Sequence, residues 1–408
     1  QAIDLYGRLV DAWPQARQHL AKASPPDQAA IDQLDETVAD ALWRRATLSR
    51  GLGQHPAAIA AYDLFATSFP ADRRAIEARL LAARTLAEDG DHREAAARYA
   101  AFYKAHPADE GPGLHFYARL EEAKALRTVG EGHKALKLYE AAIKAWERDR
   151  DPAVPPPFEV ATSISEMKFA LLEPKVEAFV KIRFNSVVDG DGLRGAALQQ
   201  AIRREDQASV TALKAKLAGL VEIKAGYDQI IALAAGDWVL RSAVAQGRVH
   251  EEMQRSFEEA ECSFYLTEDQ CDIYRMRMQD RAYPHGQEAL TLYQQAIELA
   301  RAAGAWSEAV KEAARAHDRL ADEPIMPTEL LPSPVAASRA RVYELEPTFD
   351  PPRRAQPEPE EVPPAPEGPA PEAPAPAPEE PATAPDPAPA EEAPTPEPGA
   401  AAPVTPAP

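Results

Sequence analysis

Apolar residues recur at helical spacing along most of this chain, and short polar turns separate the runs. In residues 1–150 alanine and leucine dominate, glycine is scarce and β-branched runs are missing, so the period predicts helices throughout. The stretch ASVTALKAKLAGLVEIKAGYDQIIALAAGDWVLRSAVAQGRVHEEMQRSFEEA keeps that spacing over greater lengths. It predicts long paired helices, with a break at Gly236-Asp237. One run, VKIRFN at 180–185, alternates with period two. From about Pro351 onward the periodicity ends, and more than half of the 40 prolines follow. That segment is expected to be disordered, with polyproline-II character and no core.

Self-similarity adds to the helical pattern. Residues 41–70, 78–107 and 118–146 align on a small residue in a first helix (Ala46, Ala83, Ala123). A turn glycine stands seven positions later (Gly53, Gly90, Gly130), an alanine five further (Ala58, Ala95, Ala135) and a tyrosine four beyond that (Tyr62, Tyr99, Tyr139). Small residues let two antiparallel helices approach closely, glycine permits the turn, and the tyrosine packs on the neighbouring pair. Pro70 and Pro107 end the second helices. In these residues the chain resembles the tetratricopeptide repeat family. The spacing of about 37 and then 40 residues is longer than that family's usual ~34. The resemblance implies an all-α solenoid of antiparallel helix pairs.

Ala2, Tyr6 and Pro14 stand where Ala58, Tyr62 and Pro70 stand, so the chain is expected to begin with a second helix, ending near Pro14, whose partner precedes Gln1. Ala289, Tyr293 and Ala296 repeat the second-helix pattern, and WSEAVKEAARAHDRL supplies a capping helix. The predicted organisation is repeats over 1–150, irregular long helices over 151–282, and a terminal unit with its cap over 283–323. A linker then covers 324–350, punctuated by Pro324, Pro327, Pro332 and Pro334, and the acidic proline-rich tail covers 351–408.

The formal charge of −20 sits largely in that tail, since eleven Asp and Glu and no Lys or Arg follow Arg354. An acidic chain argues against nonspecific binding to nucleic acid or anionic lipid. No apolar run is long enough for membrane insertion. The two cysteines, Cys262 and Cys271, exclude a disulfide-rich scaffold and a structural zinc site of ordinary spacing. Thr267 with Glu268, Asp269 and Gln270 marks a helix start. The two cysteines are therefore expected on opposite arms of a helical hairpin, either as a disulfide of an oxidising compartment or as two reduced buried thiols.

Gly190, Gly192 and Gly195 form a literal Gly-x-Gly-x-x-Gly. A dinucleotide-binding turn needs a strand immediately before the first glycine and an acid about 20 residues later. VKIRFN ends too early, and Glu205 and Asp206 come too soon, so a polar interhelix loop is expected. Asp189 and Asp191 resemble the start of a calcium loop, but Leu193 holds the third ligand position and no glutamate closes the loop. His55 and His92 share one turn position and read as structural. The expectation is no enzyme, no cofactor and no metal.

In the tetratricopeptide geometry the first helices line a concave groove. Carried over by position, Arg50, Arg84, Lys124 and Arg127 form a basic stripe there, suited to acidic or extended segments of other proteins and to the chain's own acidic tail. Thr47 replaces the asparagine of the family's carboxylate clamp. Residues 170–310 also resemble the C-terminal region of large repeat proteins of myxobacteria and related bacteria, some of them associated with the cell envelope and gliding motility. That resemblance implies a scaffold of the periplasm or cell envelope. The competing expectation is a cytoplasmic adaptor that captures acidic chain ends.

Overall fold

The computed structural model describes residues 1–321 apart from 109, 110 and 186. The expected linker and acidic tail, with Pro324 and the prolines after it, lie outside the described residues. Twelve α-helices and no strand occur among those described: α1 (Ala2–Ala21), α2 (Gln28–Gly51), α3 (His55–Ser68), α4 (Arg74–Glu88), α5 (His92–Ala105) and α6 (Pro112–Thr128). They continue with α7 (Gly132–Asp149), α8 (Phe158–Lys181), α9 (Gly195–Ile231), α10 (Asp237–Glu258), α11 (Glu268–Ala303) and α12 (Glu308–Leu320). The chain is an all-α solenoid of antiparallel helix pairs.

Along α1–α7 each helix packs on the next in sequence. The repeat positions explain why. Ala46, Ala83, Ala123, Ala58, Ala95 and Ala135 are all buried, and Tyr62, Tyr99 and Tyr139 are each only 1% exposed. Gly53, Gly90 and Gly130 close the turns α2–α3, α4–α5 and α6–α7 with φ of 69°, 94° and 85°, a left-handed backbone that a side chain would strain. α3 and α5 end two residues before Pro70 and Pro107. The buried residues fall into a succession of adjoining clusters. One spans α1–α4, another α4–α6, a third α6–α8, and two more continue through α8–α11 and α10–α12. A solenoid buries its apolar surface between neighbours in this way.

Three of the described helices run through an internal proline, α1 at Pro14, α8 at Pro174 and α11 at Pro284, and the first of these is the one the sequence reads as a helix end. α1 continues past Pro14 to Ala21. Trp13 Nε1 donates to Asp35 Oδ1 (2.7 Å) and Arg17 Nε to Asp35 Oδ2 (3.0 Å), so both sides of the proline turn are tied to α2 and offset the lost backbone bond. α11 likewise passes through Pro284, so the boundary expected at 282/283 falls inside a helix of 36 residues. Packing against α10 holds it there: Ala282 is buried and Gly286 lies against the Gln254 side chain.

The pair α10–α11 restates the repeat with a different small residue. Tyr293 is fully buried, and a Cβ on Gly247 would stand 2.5 Å from its ring. Glycine at 247 therefore does what alanine does at 46, 83 and 123, and allows a closer approach. The helix break expected at Gly236-Asp237 is present, since α9 ends at Ile231 and α10 begins at Asp237.

Candidate protein-interaction surface

Arg50 lies in the last turn of α2, Arg84 on α4, and Lys124 and Arg127 on α6. Each of the four meets a carboxylate. Arg50 donates through Nε and Nη2 to both oxygens of Glu88 (2.8 and 2.5 Å), and Arg84 Nε reaches the same Glu88 at 3.2 Å. Lys124 Nζ lies 2.9 Å from Glu121 and 2.6 Å from Glu166, and Arg127 Nη2 donates to Glu173 at 2.7 Å. The structure thus joins Arg50 and Arg84 on one glutamate and places Lys124 and Arg127 on others.

Electrostatics follow the contacts. The Arg50 bond holds the Glu88 carboxyl below the usual carboxylate range. Burial pushes Lys124 down, but Glu121 and Glu166 outweigh it, so its ammonium is raised above the ordinary value. Tyr117, between these groups, is pushed up to about 12 by burial first and by Glu121 second. The expected basic stripe at Arg50, Arg84, Lys124 and Arg127 is thus part of a mixed-charge surface, in which each cation is paired with a partly exposed carboxylate.

Arg84–Glu88 and Lys124–Glu121 are local pairs on one helix, but the acids that meet Arg50 and Arg127, and Glu166 at Lys124, come from helices further along the chain, and the sequence reading missed them. Glu88 lies 38 residues from Arg50, and Glu173 lies 46 from Arg127. The same arithmetic recurs at Asp40–Arg74 (2.7 Å, 34 apart) and Asp63–Arg98 (2.8 Å, 35 apart). A legible signal existed: opposite charges separated by about one repeat stand beside each other when pairs stack. His55 joins this pattern through Asp89 at 3.0 Å.

The Gly-x-Gly-x-x-Gly lies in the connection from α8 to α9. Of VKIRFN, the first two residues finish α8 and the rest is extended without a strand partner among the described residues. Gly190 has a plain steric role, since a Cβ there would stand 1.8 Å from a ring carbon of Phe264. Asp189 Oδ1 accepts from the Asp191 N–H (3.0 Å), an ordinary turn contact. No three His, Cys, Asp or Glu converge as metal ligands among the described residues, and no described helix is long and apolar enough to cross a membrane.

Cys262 and Cys271 are joined as a disulfide with Cα atoms 5.6 Å apart. The expected geometry of opposite helical arms is corrected: Cys271 stands in the first turn of α11, whereas Cys262 lies in the loop after α10. Helix α10 stops at Glu258, and the loop that follows is shaped by contacts to the α8–α9 connection.

Two buried polar groupings escaped sequence reading. Lys216 on α9 is fully buried, and its Nζ donates to Phe179 O (2.8 Å), Ile182 O (3.0 Å) and Glu252 Oε1 (3.2 Å). It caps the C-terminal carbonyls of α8, while Glu252 also accepts from Arg183 (2.5 Å) and Arg255 (3.2 Å). His250 and His285 meet between α10 and α11 with Nδ1 atoms 3.4 Å apart. In the periodicity Lys216 is indistinguishable from its exposed neighbours, so only packing reveals it.

No family model matches this chain, and no curated protein matches it. Among solved structures the chain is similar to a circular tandem repeat protein with novel repeat topology and enhanced subunit contact surfaces. Identity is 10%, with 78% of this chain and 70% of that one covered, and the TM-score of 0.18 is too low to carry an argument.

Proposed function

We propose that this chain is a noncatalytic protein–protein interaction scaffold built from tetratricopeptide-like units, working in a bacterial cell-envelope assembly. The observation that carries the reading is the recurrence of one Ala/Gly/Ala/Tyr set in three successive helix pairs, with both alanines and the tyrosine buried and the glycine in the exposed turn. Such a core repeats while the exposed faces differ, and stacked pairs offer an extended surface rather than a closed pocket. The paired cysteines and the resemblance of residues 170–310 to envelope-linked repeat proteins support the envelope setting. A cytoplasmic adaptor for acidic chain ends is the second reading.

The ligand is an extended protein segment lying across α2, α4 and α6. An acidic segment has to compete with Glu88 and Glu166 for Arg50, Arg84 and Lys124. Titrating the full chain with an extended Glu-rich synthetic peptide tests this. A Glu88→Gln, Glu166→Gln variant should bind about tenfold more tightly, as competing carboxylates are removed, and Arg84→Glu, Lys124→Glu should abolish binding. No binding to any of the three proteins would rule out the acidic ligand. Capture from the native organism, comparing wild type with the Arg84→Glu, Lys124→Glu variant, then decides between envelope and cytoplasmic partners.

A further inference from the structure

The loop between α10 and α11 is fastened to a distant part of the chain at three points. The Glu261 N–H donates to Phe184 O at 3.2 Å. The Phe264 ring lies on Gly190 so closely that no side chain fits there. The Tyr265 hydroxyl donates to Asp206 of α9. On the far side, the Val187 N–H donates to the buried Glu205 carboxylate of α9 at 3.0 Å. The α8–α9 connection is thus held between α9 and the cysteine loop, and the Cys262–Cys271 disulfide closes that loop onto the first turn of α11.

We propose that the Cys262–Cys271 disulfide is a redox-sensitive clasp that keeps residues 187–194 seated on α9, and that its reduction frees them. Both cysteines are half-buried rather than enclosed. Phe264 and Tyr265 lie inside the ten-residue segment that the bond closes. Cutting the bond leaves them on the longer connection between Glu261, still bonded to Phe184 O, and the start of α11, so the entropy of the open loop opposes their contacts.

The reaction balances with a dithiol reductant. Its thiolate attacks Cys262 Sγ, and Cys271 departs as the thiolate. The reductant's second thiol then displaces Cys262 and closes the reductant's own disulfide. Two electrons pass to the protein, and the two protons of the dithiol end on Cys262 and Cys271.

Hydrogen exchange on the full-length protein, oxidised and then treated with dithiothreitol, tests the clasp without any substitution. Amides in residues 187–206 should exchange about tenfold faster or more after reduction, while those in α2–α7 keep their rates. A Phe264→Ala variant with the disulfide intact should reproduce the acceleration, because it removes the contact while leaving the bond. Equal exchange in the two redox states overturns the proposal. So does an equal rise along α2–α7, which would make the disulfide a support of the whole solenoid, and so does unchanged exchange in Phe264→Ala.

Discussion

Tyr62, Tyr99, Tyr139 and Tyr293 occupy one repeat position, yet their hydroxyls meet different surroundings. Tyr293 Oη donates to Glu251 Oε2 at 3.0 Å, whereas the buried Tyr99 hydroxyl has no hydrogen-bond partner. Removing an unsatisfied buried hydroxyl relieves a desolvation cost, while removing one bonded to a carboxylate loses a charge-assisted bond. Tyr99→Phe should therefore leave stability unchanged or raise it by up to about 1 kcal/mol, and Tyr293→Phe should lower it by about 1–2 kcal/mol, as read from guanidinium midpoints. His250 gives a second residue-scale test. Burial, and then the neighbouring His285, push its pKa down to about 4, and burial lowers His285 too. The buried Nε2 of His250 has no partner, which favours the tautomer that donates from Nδ1 to His285 and leaves a bare lone pair inside. Glu288 and Lys224 face the pair as charged groups, and Phe257 stacks on His285. Because the folded state holds His250 neutral, the unfolded chain binds more protons below pH 6.5. Stability is then full above about 6.5 and falls as pH drops toward 4, by about 3 kcal/mol for His250. His250→Leu should flatten that part of the stability–pH curve relative to wild type.

At the scale of elements, helix ends and helix contacts are decided by what lies across from them. α8 ends where Lys216, arriving from α9, takes two of its terminal carbonyls, and the same ammonium rests 4.3 Å from the centre of the Phe179 ring. Lys216→Met keeps the length of the side chain and removes the donors. Glu252 retains Arg183 and Arg255, so the cost is that of the orphaned carbonyls, about 2–4 kcal/mol. Thermal melting should show the loss, with exchange at the α8 C-terminus rising first. Pro14 and Pro284 teach the same lesson in reverse. Local rules end a helix at proline, but contacts of α1 with Asp35 and of α11 with α10 carry both helices onward.

Across the whole molecule, stability is shared between neighbours rather than gathered in one core. The clusters of buried residues follow one another from α1 to α12. A lesion in one pair should therefore weaken that pair and those beside it. Ala95 is fully buried between α4, α5 and α6. Ala95→Leu should cost about 1–3 kcal/mol by overpacking and raise exchange in α4–α6, while α10–α12 stay protected. Uniform loss of protection from α2 to α12 would contradict this view and require a single cooperative unit.

Helix class, the turn glycines and the buried Ala/Tyr set were legible in the sequence, because they answer to local rules: spacing, left-handed turns and the volume that two close helices allow. The basic positions were legible as a stripe, but their meaning was not. Ion pairing depends on which carboxylate the stacked neighbour presents 34 to 46 residues away. Gly190 illustrates the division most directly. The sequence shows a glycine in a suggestive spacing, and only the tertiary structure supplies Phe264, 74 positions along the chain (264 − 190), whose ring fills the space a Cβ would need. Periodicity records how a residue sits on its own helix, whereas a ligand, a partner charge or a ring arrives from elsewhere in the chain.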